Sequence, residues 1–128
     1  APGYSSPGSH IRDLFDFSRL LDLYALLNLP LHVSFAFPSS SAPDPKADPN
    51  VRVEAAQWPS PPDDSMQASW ASRWISLAVA KPFVRSVTWL QPSDFNPHLY
   101  PHAGLFRTDH TPKPLVPWLK SFRRELIA

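Results

Sequence analysis

Phe83-Val84-Arg85-Ser86-Val87-Thr88-Trp89-Leu90 is a short run of β-branched and aromatic residues, bounded by Pro82 before it and Pro92 after it. Such a run predicts a strand. Immediately upstream, residues 65–80 suit a helix: Trp70, Trp74, Leu77 and Ala78 share one face, Asp64 and Gln67 have capping-box spacing, and Pro82 stops the continuation. A strand entered from a helix through only Lys81-Pro82 is the first half of a repeated pattern.

The second half lies further upstream. Leu31-His32-Val33-Ser34-Phe35-Ala36-Phe37 reads as another strand, and His10 to Leu27 as another helix, with Ser9 as its N-cap. Ile11, Leu14, Phe15, Phe17, Leu21, Tyr24 and Ala25 are its expected apolar positions, and Arg12, Asp13, Asp16, Arg19 and Asp22 its wet side. Asn28 suits a left-handed residue after the helix, and Pro30 prevents further helix. Residues 1–9 read as loop, residues 38–63 as a long loop with an extended piece at Val51-Arg52-Val53-Glu54, and residues 91–112 as a second long loop. A last helix is expected from Lys113 or Pro114 to Ile127. No internal repeat is visible.

Composition sets the limits. The chain has 128 residues with 17 Pro, 3 Gly and no Cys, and 43% of it is hydrophobic, including 8 Phe and 5 Trp. Seven Pro fall in residues 38–63 and four in 91–112, so they shape loops, and the apolar load speaks against a disordered tract. Twelve basic and 11 acidic residues leave a net charge of +1 with no Lys/Arg stripe, which argues against a nucleic-acid partner. No apolar run reaches the ~20 residues of a membrane span. Absence of Cys removes disulfides, thiolate nucleophiles and Cys-zinc sites and leaves the compartment open. The first residue is Ala1, so the gene product is expected to start upstream of it.

Helix, strand, helix, strand, helix calls for a parallel sheet with crossover helices. Two strands make no stable sheet of that kind, and parallel strands are normally buried on both faces, so further strands are expected from outside this chain. The connections are lopsided: those after helices are very short, while those after strands run to about 20 residues or more. In a TIM barrel the loops after strands build the functional face and the opposite face keeps tight turns. A complete barrel needs ~200–250 residues. The expectation is an α/β chain forming the C-terminal fragment of a (β/α)₈ TIM barrel, from its sixth helix through its eighth, incomplete as a stand-alone barrel.

Specific residues carry a family resemblance. Ser86-Val87-Thr88-Trp89, Asp94, the run Ala103-Gly104-Leu105-Phe106-Arg107-Thr108-Asp109 and Pro112-Lys113-Pro114 resemble the end of clan A glycoside hydrolases, where the eighth strand ends in Trp and a "PKP" segment starts the last helix. Leu29-Pro30-Leu31-His32-Val33-Ser34 is similar to the segment after the sixth helix of glycoside hydrolase family 10, the xylanases, "LP(I/L)H(I/V)TE". The resemblance implies hydrolysis of O-glycosidic bonds in a β-linked, xylan-like plant polysaccharide, a carbohydrate partner, the remainder of the barrel as a second partner, no cofactor, and a secreted or periplasmic location.

One departure matters. Carried over residue by residue, Ser34 takes the place of the family's Thr and Phe35 that of its Glu nucleophile. A retaining glycosidase needs two carboxylates ~5–5.5 Å apart. Phe35 supplies none, and the acid/base partner belongs to a fourth strand that this chain lacks, so the chain alone is expected to be inactive. Glu125 reads as a solvated helix charge, and Glu54 is the remaining candidate carboxylate on the functional face. Trp89 at the strand's end is expected to point into the barrel mouth, as a sugar-stacking ring or as a core Trp at the rim. Asp94, His98 and Tyr100 are candidate partners for sugar hydroxyls or plain loop structure. Trp58 lines a subsite or pins its loop.

Other constellations read more simply. His98 and His102 have metal-ligand spacing only on a helix, and Pro97 and Pro101 oppose one there, so no metal is expected. His32 alternates away from Phe35 and is expected to face the helix layer. Ser39-Ser40-Ser41 lacks a nucleophile-elbow context. Trp70 and Trp74 are expected in the core. Two rivals remain: a non-catalytic carbohydrate-binding barrel that keeps the aromatic mouth, and a small Pro-rich interaction protein that must bury 5 Trp and two sheet edges unaided.

Overall fold

A computed structural model describes residues 4–5, 14–53 and 62–127. Its elements are β1 (Tyr4–Ser5), α1 (Leu14–Ala25), β2 (Leu31–Phe35), β3 (Arg52–Val53), α2 (Asp64–Ala80), β4 (Val84–Trp89) and α3 (Leu115–Ile127). The helix–strand alternation read from the sequence is present. Ser9 and residues 10–13 lie outside the described residues.

β2 and β4 pair in parallel, with Val33 opposite Val87 and Phe35 opposite Trp89, and α2 forms the crossover between them. One irregularity, between Leu31 and His32, shifts the register. Val33, Phe35, Val87 and Trp89 belong to the cluster built with the three helices, whereas His32, Ser34 and Thr88 are exposed on the other face. The described residues therefore form a small mixed α/β domain, a two-stranded parallel sheet with its helices on one side. Residues 1–9, expected as loop, contain β1, which pairs antiparallel with β3, the extended piece anticipated at Val51–Glu54.

The core is an aromatic stack. Trp70 and Trp74 lie 4.8 Å apart, Phe37 stacks on Trp70 at 4.6 Å and Phe17 on Trp74 at 4.7 Å. The Phe35 ring meets Phe17 and Trp70 edge-on at 5.5 and 5.8 Å. Rings in offset-stacked and edge contacts align negative faces with positive edges, which adds to their burial.

Several boundaries and faces differ from expectation. α1 ends at Ala25, because Leu26, Leu27 and Asn28 turn back with short-range bonds to Leu23, Tyr24 and Ala25, and Asn28 takes φ 54° as expected. Only Phe17 and Leu21 of α1 are buried. Phe15 is 71% and Tyr24 46% exposed, since Phe15 sits two residues, about 200° of helical turn, from Phe17. The N-cap of α2 is Asp63, not Asp64: Asp63 Oδ1 accepts from the Met66 N–H at 2.7 Å. Gln67 does not turn back to the cap. It is buried and donates to the Phe37 carbonyl at 2.9 Å.

His32 does not face the helix layer. It lies on the exposed face of the sheet, its Nδ1 2.6 Å from Ser86 Oγ on the neighbouring strand. Phe35 takes the helix side, because that is where Phe17 and Trp70 offer an apolar seat.

Candidate functional site

The loops after β2 and β4 meet at the C-terminal end of the sheet, where ligands bind in open α/β folds. Residues 46–48 and 98 join them through backbone hydrogen bonds, Asp48 N–H to His98 O at 3.0 Å and His98 N–H to Lys46 O at 2.9 Å. Asp44, held between Pro43 and Pro45, reaches across: its Oδ2 lies 2.6 Å from His98 Nε2 and accepts from the His102 N–H at 3.1 Å. The other ring nitrogen of His98 lies 2.7 Å from the Asn96 carbonyl. Both ring nitrogens thus face oxygen atoms, one of a carboxylate and one of a backbone carbonyl. Burial works to raise the Asp44 pKa, but the hydrogen bonds from His98 and His102 and the charge of His98 outweigh it and hold the carboxyl below its ordinary value.

His102 is the hub of the cluster. Its φ of 55° is uncommon for a non-Gly residue. That backbone turn presents its carbonyl to the Ser39 N–H and hydroxyl, both at 3.0 Å, to Lys113 Nζ at 3.1 Å and to Gln67 Nε2 at 3.5 Å. Its ring Nε2 lies 2.8 Å from the Ala42 carbonyl.

Lys113, at the entrance to α3, is buried and pairs with Asp94 at 2.6 Å. Its burial pushes the ammonium pKa down, against the hydrogen bond and charge of Asp94. Asp94 Oδ1 also accepts from the Gly104 N–H at 2.8 Å. Only glycine fits there: a Cβ on residue 104 would lie 2.5 Å from the Ser93 carbonyl carbon and 2.6 Å from Asp94 N. Asp64, freed from capping, pairs with Arg107 at 2.6 Å. Asp44, Asp64, Asp94, His102, Arg107 and Lys113 line one polar cleft of about 300 Å³.

The expected site residues are distributed as follows. Asp94 and His98 sit in the two buried pairs. Tyr100 is half-buried against Ala36, Val51 and Ala103, and its backbone N–H and carbonyl are both held by the side chain of Gln91. Trp89 is turned toward the helices: its ring lies edge-on to Trp70 at 6.4 Å, and its Nε1–H donates to the Ala103 carbonyl at 2.6 Å. Phe35, which the family resemblance placed at the nucleophile position, is 4% exposed on the helix face of the sheet. Glu54 and Trp58 lie outside the described residues. Among the described residues no group of three or more His, Cys, Asp or Glu is arranged to hold a metal ion, and no helix is long and apolar enough to cross a membrane.

Five residues of the cleft were not foreseen as site residues: Asp44, Asp64, His102, Arg107 and Lys113. Lys113 carried a signal in Pro112-Lys113-Pro114, and Asp44 in its two flanking prolines, but neither pattern names a partner. Chemically, the three carboxylates of the cleft each face a basic side chain, so they form a rigid hydrogen-bonding platform without a free acid/base pair. Comparisons with known protein families and with curated proteins find no match for this chain.

Proposed function

We propose that this chain is the last portion of a (β/α)₈ barrel of the glycoside hydrolase type, similar to family 10, and that it contributes carbohydrate-contacting surface and no catalytic carboxylate. The observation that supports this most is the asymmetry of the parallel β2–α2–β4 unit. Its strand ends lead into two long loops fastened to each other by Asp44 and His98, while the opposite end has tight turns. The fastened surface adjoins a recess lined by Ser93, Asn96, Leu99 and Tyr100, a mixture of polar and apolar groups that suits a sugar's hydroxyls and ring faces.

The buried ring of Phe35 favours the non-catalytic form of this reading, a pseudo-glycosidase barrel that binds and does not cleave. Nuclear magnetic resonance titration of the chain with a β-1,4-linked xylo-oligosaccharide tests it. Saturable shifts confined to residues 39–48 and 91–107, with no release of reducing ends, are expected. Folded protein that shows no saturable shift, or xylan turnover by this chain alone, overturns it.

A further inference from the structure

The end of the sheet opposite the polar loops carries a separate recess. A groove of about 440 Å³ opens between the C-terminal parts of α2 and α3 and the first half of β4. Ile75, Val79, Val87, Leu119 and Phe122 give it apolar walls. That volume falls within the range of sites that hold small organic ligands.

Two cations stand on the same groove, Arg85 from β4 and Arg123 from α3. Both are exposed, and among the described residues neither guanidinium has an ion-pair or hydrogen-bond partner. Among the described residues no Asp or Glu lines the groove. Arg107 of the polar cleft is the contrast, since Asp64, Thr111 and the Pro112 carbonyl engage it. A purely apolar ligand would leave the two guanidiniums unaddressed. A simple anion would leave the apolar walls in water. A molecule with an apolar tail and one anionic head answers both, because guanidinium–carboxylate pairs are strong and directional beside a low-dielectric wall.

We propose that this groove binds a long-chain carboxylate, its tail along Ile75, Val79 and Phe122 and its head paired with Arg85 and Arg123. The site is independent of the carbohydrate reading, which concerns the other end of the sheet.

Calorimetric titration of the chain with dodecanoate below its micelle concentration tests it, with dodecanol and dodecyltrimethylammonium as controls. One-to-one saturable binding of dodecanoate is expected, with both controls weaker by about tenfold or more. Arg85→Gln with Arg123→Gln should weaken dodecanoate by about tenfold, leaving the thermal melt unchanged since both side chains are exposed. Val79→Phe, which narrows the groove and keeps both arginines, should also weaken it. Equal affinity for dodecanol, no saturable binding, or affinity unchanged in the arginine variant overturns the proposal.

Discussion

Asp94, in the loop after β4, and Lys113, at the entrance to α3, form an ion pair of 2.6 Å with side chains only 8% and 2% exposed. The pair fixes the loop to the last helix, and each partner has a further bond, Asp94 from the Gly104 N–H and Lys113 to the His102 carbonyl. Removing one member leaves a buried charge without its counterpart. Asp94→Ala is expected to cost about 3–5 kcal/mol of unfolding free energy in urea. Asp94→Leu combined with Lys113→Met should recover most of that loss, since no charge is left stranded. A double variant as unstable as the single one would place the cost in shape instead of charge.

Gly104→Ala tests the close approach at the same point. The added methyl meets backbone atoms of Ser93 and Asp94, which cannot swing aside as a flexible side chain would. A loss of about 1–3 kcal/mol is expected, read as a lowered melting temperature. An unchanged melt would show that the two loop segments separate without cost.

Phe35→Ala should destabilise the fold by about 3–5 kcal/mol, because the ring fills the space between Phe17 and Trp70. Phe35→Glu should cost at least as much, since it buries a carboxyl among aromatic rings, and it should produce no glycosidase activity. Circular dichroism with a reducing-sugar assay checks both. A stable, active Phe35→Glu protein would contradict the placement of this side chain among the helix-side rings.

The Asp44 carboxyl gives a pH signature. Its native pKa lies below the ordinary value of 3.8, so the native state is favoured above that value. The contribution fades as pH falls through 3.8 toward the lower native pKa. Asp44→Asn should therefore be less stable than the parent at neutral pH and should lose less stability on acidification. Urea midpoints measured from neutral pH into the acid range report the difference; parallel curves for the two proteins would contradict it.

Much of the element order was legible because helix and strand periods are local. Trp70 and Trp74 lie four apart and share a helix face wherever that helix sits, and both are buried. Pro82 and Pro30 stop helices through their own covalent geometry. The loop cluster was not legible in the same way. His98 and His102 stand four apart, a spacing that suggests metal ligands, yet each is tied to residues more than 50 positions away, His98 to Asp44 and His102 to Ala42. No local rule pairs groups at that distance along the chain.

His32 and Phe35 show where the division falls. Alternation along a strand settles that the two side chains occupy opposite faces. It does not say which face the helices will cover. That was decided in three dimensions, where the rings of Phe17 and Trp70 gave Phe35 a dry seat and left His32 on the open face beside Ser86. The sequence by itself determined the order of elements, their periods and their stops, because these depend on neighbouring residues. The covered face of the sheet and the partners of Asp44, Asp94 and Lys113 depend on burial and on charge meeting charge across the chain, and only the tertiary structure decided them.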